Sequence, residues 1–141
     1  MCYRVKVLFV CTGNYDRSPT AEGLFRGVEG LEVDSAGTAP CASTPLSKPV
    51  TKELLEWADM VFAMEDHHKE AMLKIDASAK NKIVVLHIPD IYLRNSPELK
   101  KLLLEKLIIY FGIKDYNRAE LPEGYMTFFR KLFKGQLPKD Y

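Results

Sequence analysis

The chain has 141 residues, 47% of them hydrophobic and 28% charged, with a formal net charge of +1. This balance suits one domain, residues 1–141, built around one hydrophobic core. It excludes a disordered tract, and nothing global points to nucleic acid or to an anionic membrane. No apolar run approaches a membrane span, and residues 1–6 lack the apolar stretch of a secretory leader, so the expected location is cytoplasmic. Three cysteines, Cys2, Cys11 and Cys41, are too few and too scattered for a disulfide framework. With His67, His68 and His87 they form no metal-ligand spacing, so neither a metal nor a cofactor is expected.

In chain order, residues 5–10 are an apolar β-branched run that predicts a buried strand. Residues 11–18 form a polar turn, and a helical pattern follows, with Pro19 early in it and an end near Gly27 or Gly30. A second strand is predicted over 31–35, and a loop over 36–48, rich in Ala, Pro, Ser and Thr. Helix is predicted again over 49–57, with Leu54, Leu55 and Ala58 on one stripe. A third strand over 60–64, a helix over 65–73, a fourth strand over 83–88 and a helix over 97–111 complete the pattern. Strands alternating with helices predict a doubly wound α/β domain: a four-stranded parallel sheet with helices on both faces. Residues 112–141 carry an aromatic, helix-spaced stretch around Tyr125, Phe128, Phe129 and Phe133, whose role the sequence leaves open.

The chemistry gathers after the first strand. In an open parallel sheet, ligands bind beyond the carboxyl ends of the strands, and Cys11 follows the first strand directly. Successive N–H groups from Thr12 to Ser18 can curl into an anion nest, backed by the positive end of the next helix. Gly13 and Asn14 tolerate the left-handed backbone such a curl needs. Arg17 can grip two phosphate oxygens at once, and helix N-termini and neighbouring arginines favour a reactive thiolate. Ser18 can donate a hydrogen bond to that sulfur. Asp90 follows the fourth strand, at the same sheet edge, and is the candidate proton donor to a leaving oxygen. Tyr92 is a candidate wall for a flat substrate. Each assignment has a plainer alternative. Asp90 can be a turn residue after Pro89, Asp16 a solvated or capping residue, Trp57 a core anchor, and His67 and His68 a solvated helix face. His87 is expected in or beside the fourth strand.

Together these blocks resemble the low-molecular-weight protein tyrosine phosphatases. That family's loop is Cys-x5-Arg-Ser, usually with Gly-Asn in third and fourth place and Pro-x-Ala-Glu following. Here it reads Cys11-Thr12-Gly13-Asn14-Tyr15-Asp16-Arg17-Ser18-Pro19-Thr20-Ala21-Glu22. Asp34-Ser35-Ala36-Gly37-Thr38, the block from Ala58 to Glu65, and Ile88-Pro89-Asp90-Ile91-Tyr92 resemble its later motifs, with Ile91 where a proline is usual. The resemblance implies a metal-free, two-step hydrolysis of phosphomonoesters through a phosphocysteine. Cys11 is the implied nucleophile and Arg17 with the loop amides the phosphate grip; Ser18 tunes the sulfur and Asp90 is the general acid. The implied partners are phosphotyrosine proteins or small aryl phosphates, with phosphate and similar oxyanions bound in the loop.

Two departures stand out. Asp16 occupies the place of a second cysteine that can shield an oxidised nucleophile as a disulfide, and its carboxylate opposes a thiolate nearby. Tyr15 is bulky where the phosphoarginine-directed branch carries a small Thr. Two other functions compete: a phosphate- or phosphopeptide-binding module with little turnover, and a thiol-dependent arsenate reductase. The second needs two further downstream cysteines, and only Cys41 is present.

Overall fold

The computed structural model describes residues 5–26, 31–40 and 47–107. Within them the chain alternates strand and helix as predicted. The order is β1 (Val5–Cys11), α1 (Arg17–Phe25), β2 (Leu31–Gly37), α2 (Lys52–Trp57), β3 (Met60–Ala63), α3 (Asp66–Ile75), a 3-10 helix (Ala77–Lys82), β4 (Ile83–Val85) and α4 (Pro97–Leu107). The four strands form one sheet in the order β2-β1-β3-β4. Every pairing is parallel, with Phe9 beside both Ser35 and Phe62 in the register.

Strand side chains alternate between the two faces of a sheet, and β1 supplies both cores from one run. Val7, Phe9 and Cys11 enter a core closed by Ala21 and Phe25 of α1 and by Leu99, Leu103, Leu104 and Leu107 of α4. Leu8 and Val10 enter the opposite core, closed by Leu55 of α2, Met72 of α3 and Ala79. Phe9 stacks on Phe25 and Phe62, with ring centroids 6.0 and 5.7 Å away. The sheet is therefore covered on both faces, as expected of a doubly wound fold. The chain leaves β1 toward β2 on one side and later returns to β3 on the other. That reversal makes the carboxyl end of β1 the topological switch point, where such sheets bind ligands.

Two of the predicted boundaries shift for clear local reasons. Helix α2 starts at Lys52, not at 49, because Pro49 bridges to Gly37 and the Thr51 side chain caps the helix by accepting from Leu54 N–H at 3.1 Å. Strand β4 stops at Val85 although Leu86 and Ile88 stay buried. His87 takes a left-handed φ of 57°, which puts the edge bonding out of step, with Leu86 N–H on the Ala63 carbonyl and Ile88 N–H on the Met64 carbonyl, and leaves Pro89 and Asp90 exposed beyond it. Trp57 is half-buried against the second core rather than fully inside it. The predicted helix end at Gly27 or Gly30, the end of the last helix near 111, Cys2, Cys41 and the segment 112–141 lie outside the described residues.

Candidate active site

Cys11 is the last residue of β1 and is 2% exposed. It is a free thiol. The chain then turns through residues 12–16 into α1, and the backbone N–H groups of Gly13, Asn14, Tyr15 and Asp16 have no protein acceptor among the described residues. This is the donor-rich turn the sequence predicts at a helix N-terminus. One detail differs. Asn14 alone takes the left-handed conformation, at φ 52°, while Gly13 lies outside that region. An asparagine tolerates this backbone, and here its side chain is bonded on every side. Its Oδ1 accepts from Lys48 N–H at 2.9 Å, and its Nδ2 donates to Ser18 Oγ and to Ser35 Oγ, both at 3.0 Å.

Those bonds decide where the Ser18 proton goes. Ser18 Oγ lies 3.0 Å from Cys11 Sγ and already accepts from Asn14. Its hydrogen is left for the sulfur, with the Ala36 carbonyl a more distant acceptor at 3.4 Å. A buried hydroxyl aimed at a sulfur in this way stabilises negative charge on it. Ser35 completes the chain by donating to Glu22 Oε1 at 2.6 Å. The Ser35-Ala36-Gly37-Thr38 block is thus the back wall of the loop. A Cβ on Gly37 would lie 2.5 Å from the Thr12 carbonyl oxygen and 2.9 Å from Asn14 N, so only glycine fits.

Arg17 is 1% exposed. Its Nη1 donates to Glu65 Oε1 at 2.6 Å and to the Ile88 carbonyl at 2.7 Å. With Nη1 anchored, the guanidinium presents its Nε–Nη2 edge, which is the fork that matches two oxygens of a phosphoryl group. Asp90 stands at that edge, with Oδ1 3.7 Å from Arg17 Nε and a largely exposed side chain. Tyr92 packs on the first core, Tyr15 is 50% exposed, and the Arg94 guanidinium lies 5.7 Å from the Tyr15 ring centroid. Asp16 occupies the N-cap position of α1 without capping it, and its Oδ1 accepts from Arg94 N–H at 3.0 Å instead.

Two residues with a part in the site were missed. Glu65, just past β3 at the N-cap of α3, anchors Arg17, and that hydrogen bond holds its carboxyl below the usual range. His68 was expected on a solvated face; it is fully buried. Its Nδ1 accepts from Glu65 N–H at 2.9 Å, so the neutral ring carries its proton on Nε2 and donates it to Thr12 Oγ1 at 2.7 Å. Burial, then the nearby positive charges of His67 and Arg17, push its pKa down to about 4, against a smaller opposing effect of Glu65. The available signal was position: both residues follow a strand at the carboxyl edge that carries Cys11. Glu65, His67 and His68 each offer a ligand atom within 4.8 Å of the others. However, both His68 nitrogens and a Glu65 oxygen are already committed to holding the loop and Arg17. A metal would have to break that frame.

A thiol, a hydroxyl aimed at it, a nest of amides and an anchored guanidinium at a switch point are the parts that a phosphoryl-binding site with a sulfur nucleophile needs on a doubly wound sheet. Comparison with known proteins agrees. Residues 6–46 match the family model of low molecular weight phosphotyrosine protein phosphatase. The chain is 35% identical over 103 residues to a protein-arginine-phosphatase of Bacillus subtilis, an alignment covering 57% of this chain and 69% of that one. It is 32% identical over 102 residues to the low molecular weight protein-tyrosine-phosphatase PtpB of Staphylococcus aureus, covering 59% and 72%. Among solved structures, the YwlE arginine phosphatase of Geobacillus stearothermophilus superposes with a TM-score of 0.57 at 27% identity over 94% of this chain and 95% of that one. The tyrosine phosphatase Wzb of Escherichia coli K30, in complex with phosphate, gives 0.60 at 25% identity, covering 74% and 94%. The chain belongs to the low molecular weight phosphotyrosine protein phosphatase family. It is a protein phosphatase that works through a cysteine nucleophile.

Proposed function

We propose that Cys11 is that nucleophile and that the substrate is a phosphotyrosine protein or a small aryl phosphate. The observation that carries this reading is the 3.0 Å contact between Cys11 Sγ and Ser18 Oγ beneath a donor-rich turn. In the first step the thiolate attacks phosphorus while the amides of residues 12–18 and Arg17 hold the phosphoryl oxygens. The P–O bond to the leaving group breaks, and Asp90 gives its proton to the departing oxygen. In the second step Asp90 takes a proton from water, the water oxygen bonds to phosphorus, and the S–P bond breaks. Phosphate leaves and Ser18 receives the sulfur charge again. A cytoplasmic location belongs to the same proposal, because a mechanism resting on a free thiol suits a reducing compartment; no described helix is long and apolar enough to cross a membrane.

Phosphoarginine protein is the second reading, favoured by the 35% identity to a protein-arginine-phosphatase. The bulky, half-exposed Tyr15 in the loop favours the aryl substrate. Hydrolysis of p-nitrophenyl phosphate, a phosphotyrosine peptide and a phosphoarginine peptide, without added metal, tests both readings. We expect activity to vanish in Cys11→Ser, and Asp90→Asn to lose about 10²-fold or more in turnover on the phosphotyrosine peptide. Activity surviving Cys11→Ser would remove Cys11 from its role. A clear preference for phosphoarginine would replace the aryl reading with the second.

A further inference from the structure

The segment that carries Asp90 has little to hold it in place. From Pro89 to Ser96 it forms turns without regular structure, and Ile91 and Leu93 are 74% and 77% exposed. Tyr92 is its one contact with the hydrophobic core. Besides the Asp90–Arg17 ion pair and a turn bond from Ser96 N–H to the Leu93 carbonyl, two hydrogen bonds tie it to the phosphate loop and the first turns of α1. Asp16 Oδ1 accepts from Arg94 N–H at 3.0 Å, and Thr20 Oγ1 accepts from Asn95 N–H at 2.9 Å. The two acceptors are joined, since the Thr20 hydroxyl donates to the Asp16 carbonyl at 2.7 Å. Asn95 takes a left-handed φ of 62°, a sharp turn that follows the two paired amides. Thr20 is 1% exposed, so its side of the clasp is rigid. The Arg94 side chain lies over the Tyr15 ring, tying the same two segments from outside.

We propose that Asp16 is a positioning residue for catalysis: with Thr20 it clasps the 94–95 backbone and so holds Asp90 against the Nε edge of Arg17. This rests on the reading of Asp90 as the general acid. The Asp16 side chain makes no hydrogen bond to the Cys11 sulfur or to the Arg17 guanidinium. Its carboxylate at the N-cap position is spent across the site instead of on its own helix. The choice of a carboxylate follows from the task. It must reach outward from the loop and accept from a backbone amide of a segment far along the chain, which a cysteine, a poor acceptor, does not do.

The signature of a misplaced acid is dependence on the leaving group. Phenyl phosphate needs its leaving oxygen protonated far more than p-nitrophenyl phosphate does, whereas general loss of the fold slows both alike. The test is kcat and KM for both substrates, with inorganic phosphate inhibition as a check on the loop, in Asp16→Ala, Asp16→Asn, Thr20→Val, Asp90→Asn and the double variant Asp16→Ala/Asp90→Asn. We expect Asp16→Ala to lose about tenfold more turnover on phenyl phosphate than on p-nitrophenyl phosphate. Thr20→Val should show the same bias, and Asp16→Asn, which keeps an acceptor oxygen, should restore most of the loss. In the Asp90→Asn background, Asp16→Ala should add little, because both act through one proton transfer. Equal losses on the two substrates, or fully additive losses, would overturn the clasp. If Asp90→Asn itself shows no leaving-group bias, the acid reading fails and the clasp falls with it; if it shows the bias and Asp16→Ala does not, the clasp alone is wrong.

Discussion

At Gly37 a residue far from the loop in sequence has no side chain because the loop fills its space. The Cβ of an alanine there would meet backbone atoms, the Thr12 carbonyl at 2.5 Å and Asn14 N at 2.9 Å, which cannot swing away as a side chain would. Gly37→Ala should therefore displace the amides that grip phosphate. Misplacing such groups by about 1 Å costs on the order of 10²-fold in rate. The expected result is a loss of that size in kcat/KM on p-nitrophenyl phosphate, with inhibition by inorganic phosphate weakened in parallel; wild-type values for both would show that the loop does not depend on the wall behind it. Single residues were legible where the chemistry is contiguous. Cys11, Asn14, Arg17 and Ser18 stand within eight positions of one another, and their types announce an anion site. Glu65 was not legible, because nothing local says that a carboxylate after β3 will meet an arginine at the start of α1. Asp16 was read as solvated or capping, since its partner is a backbone amide 78 positions away.

Among the elements, α3 does more than cover the sheet. Its first turn carries His68, which ties Glu65 N–H to the Thr12 hydroxyl and so links the helix start to the phosphate loop. This histidine is neutral when folded, with its pKa depressed from 6.5 to about 4, chiefly by burial. In the unfolded chain it takes up a proton near pH 6.5, so between those values the unfolded state binds more protons. The stabilisation is full above about pH 6.5 and is lost as pH falls toward about 4. Glu65 adds its own loss only lower, where a carboxylate held down by Arg17 begins to titrate. Thermal melts from pH 7.5 downward should show the wild type losing stability faster than His68→Gln over the upper part of that window, and parallel curves would contradict the buried neutral ring. Hydrophobic period revealed that α3 and β4 exist; it did not reveal that His68 faces inward or that β4 ends at Val85. In both cases a hydrogen bond or a left-handed turn at His87 overrides the local pattern.

At the scale of the whole molecule, one strand organises everything. Alternate residues of β1 fill two cores, and its last residue is the thiol at the point where the strand order reverses. The architecture was legible because alternating strands and helices leave few other ways to cover a parallel sheet. The site was legible in outline because the switch point must lie beyond β1. What holds the site together was less so, because it comes from four separate strand ends meeting: Cys11, Gly37, Glu65 and the residues after β4. The proposed mechanism requires a covalent step at the sulfur. The most direct measurement is rapid acid quench of the wild type mixed with a phosphotyrosine peptide, followed by mass spectrometry of the digested protein. A single phosphoryl group on the peptide containing Cys11, absent from Cys11→Ala, is the predicted result. Product release with no phosphoryl group on Cys11 at any quench time, or the group on another residue of the wild type, would contradict it.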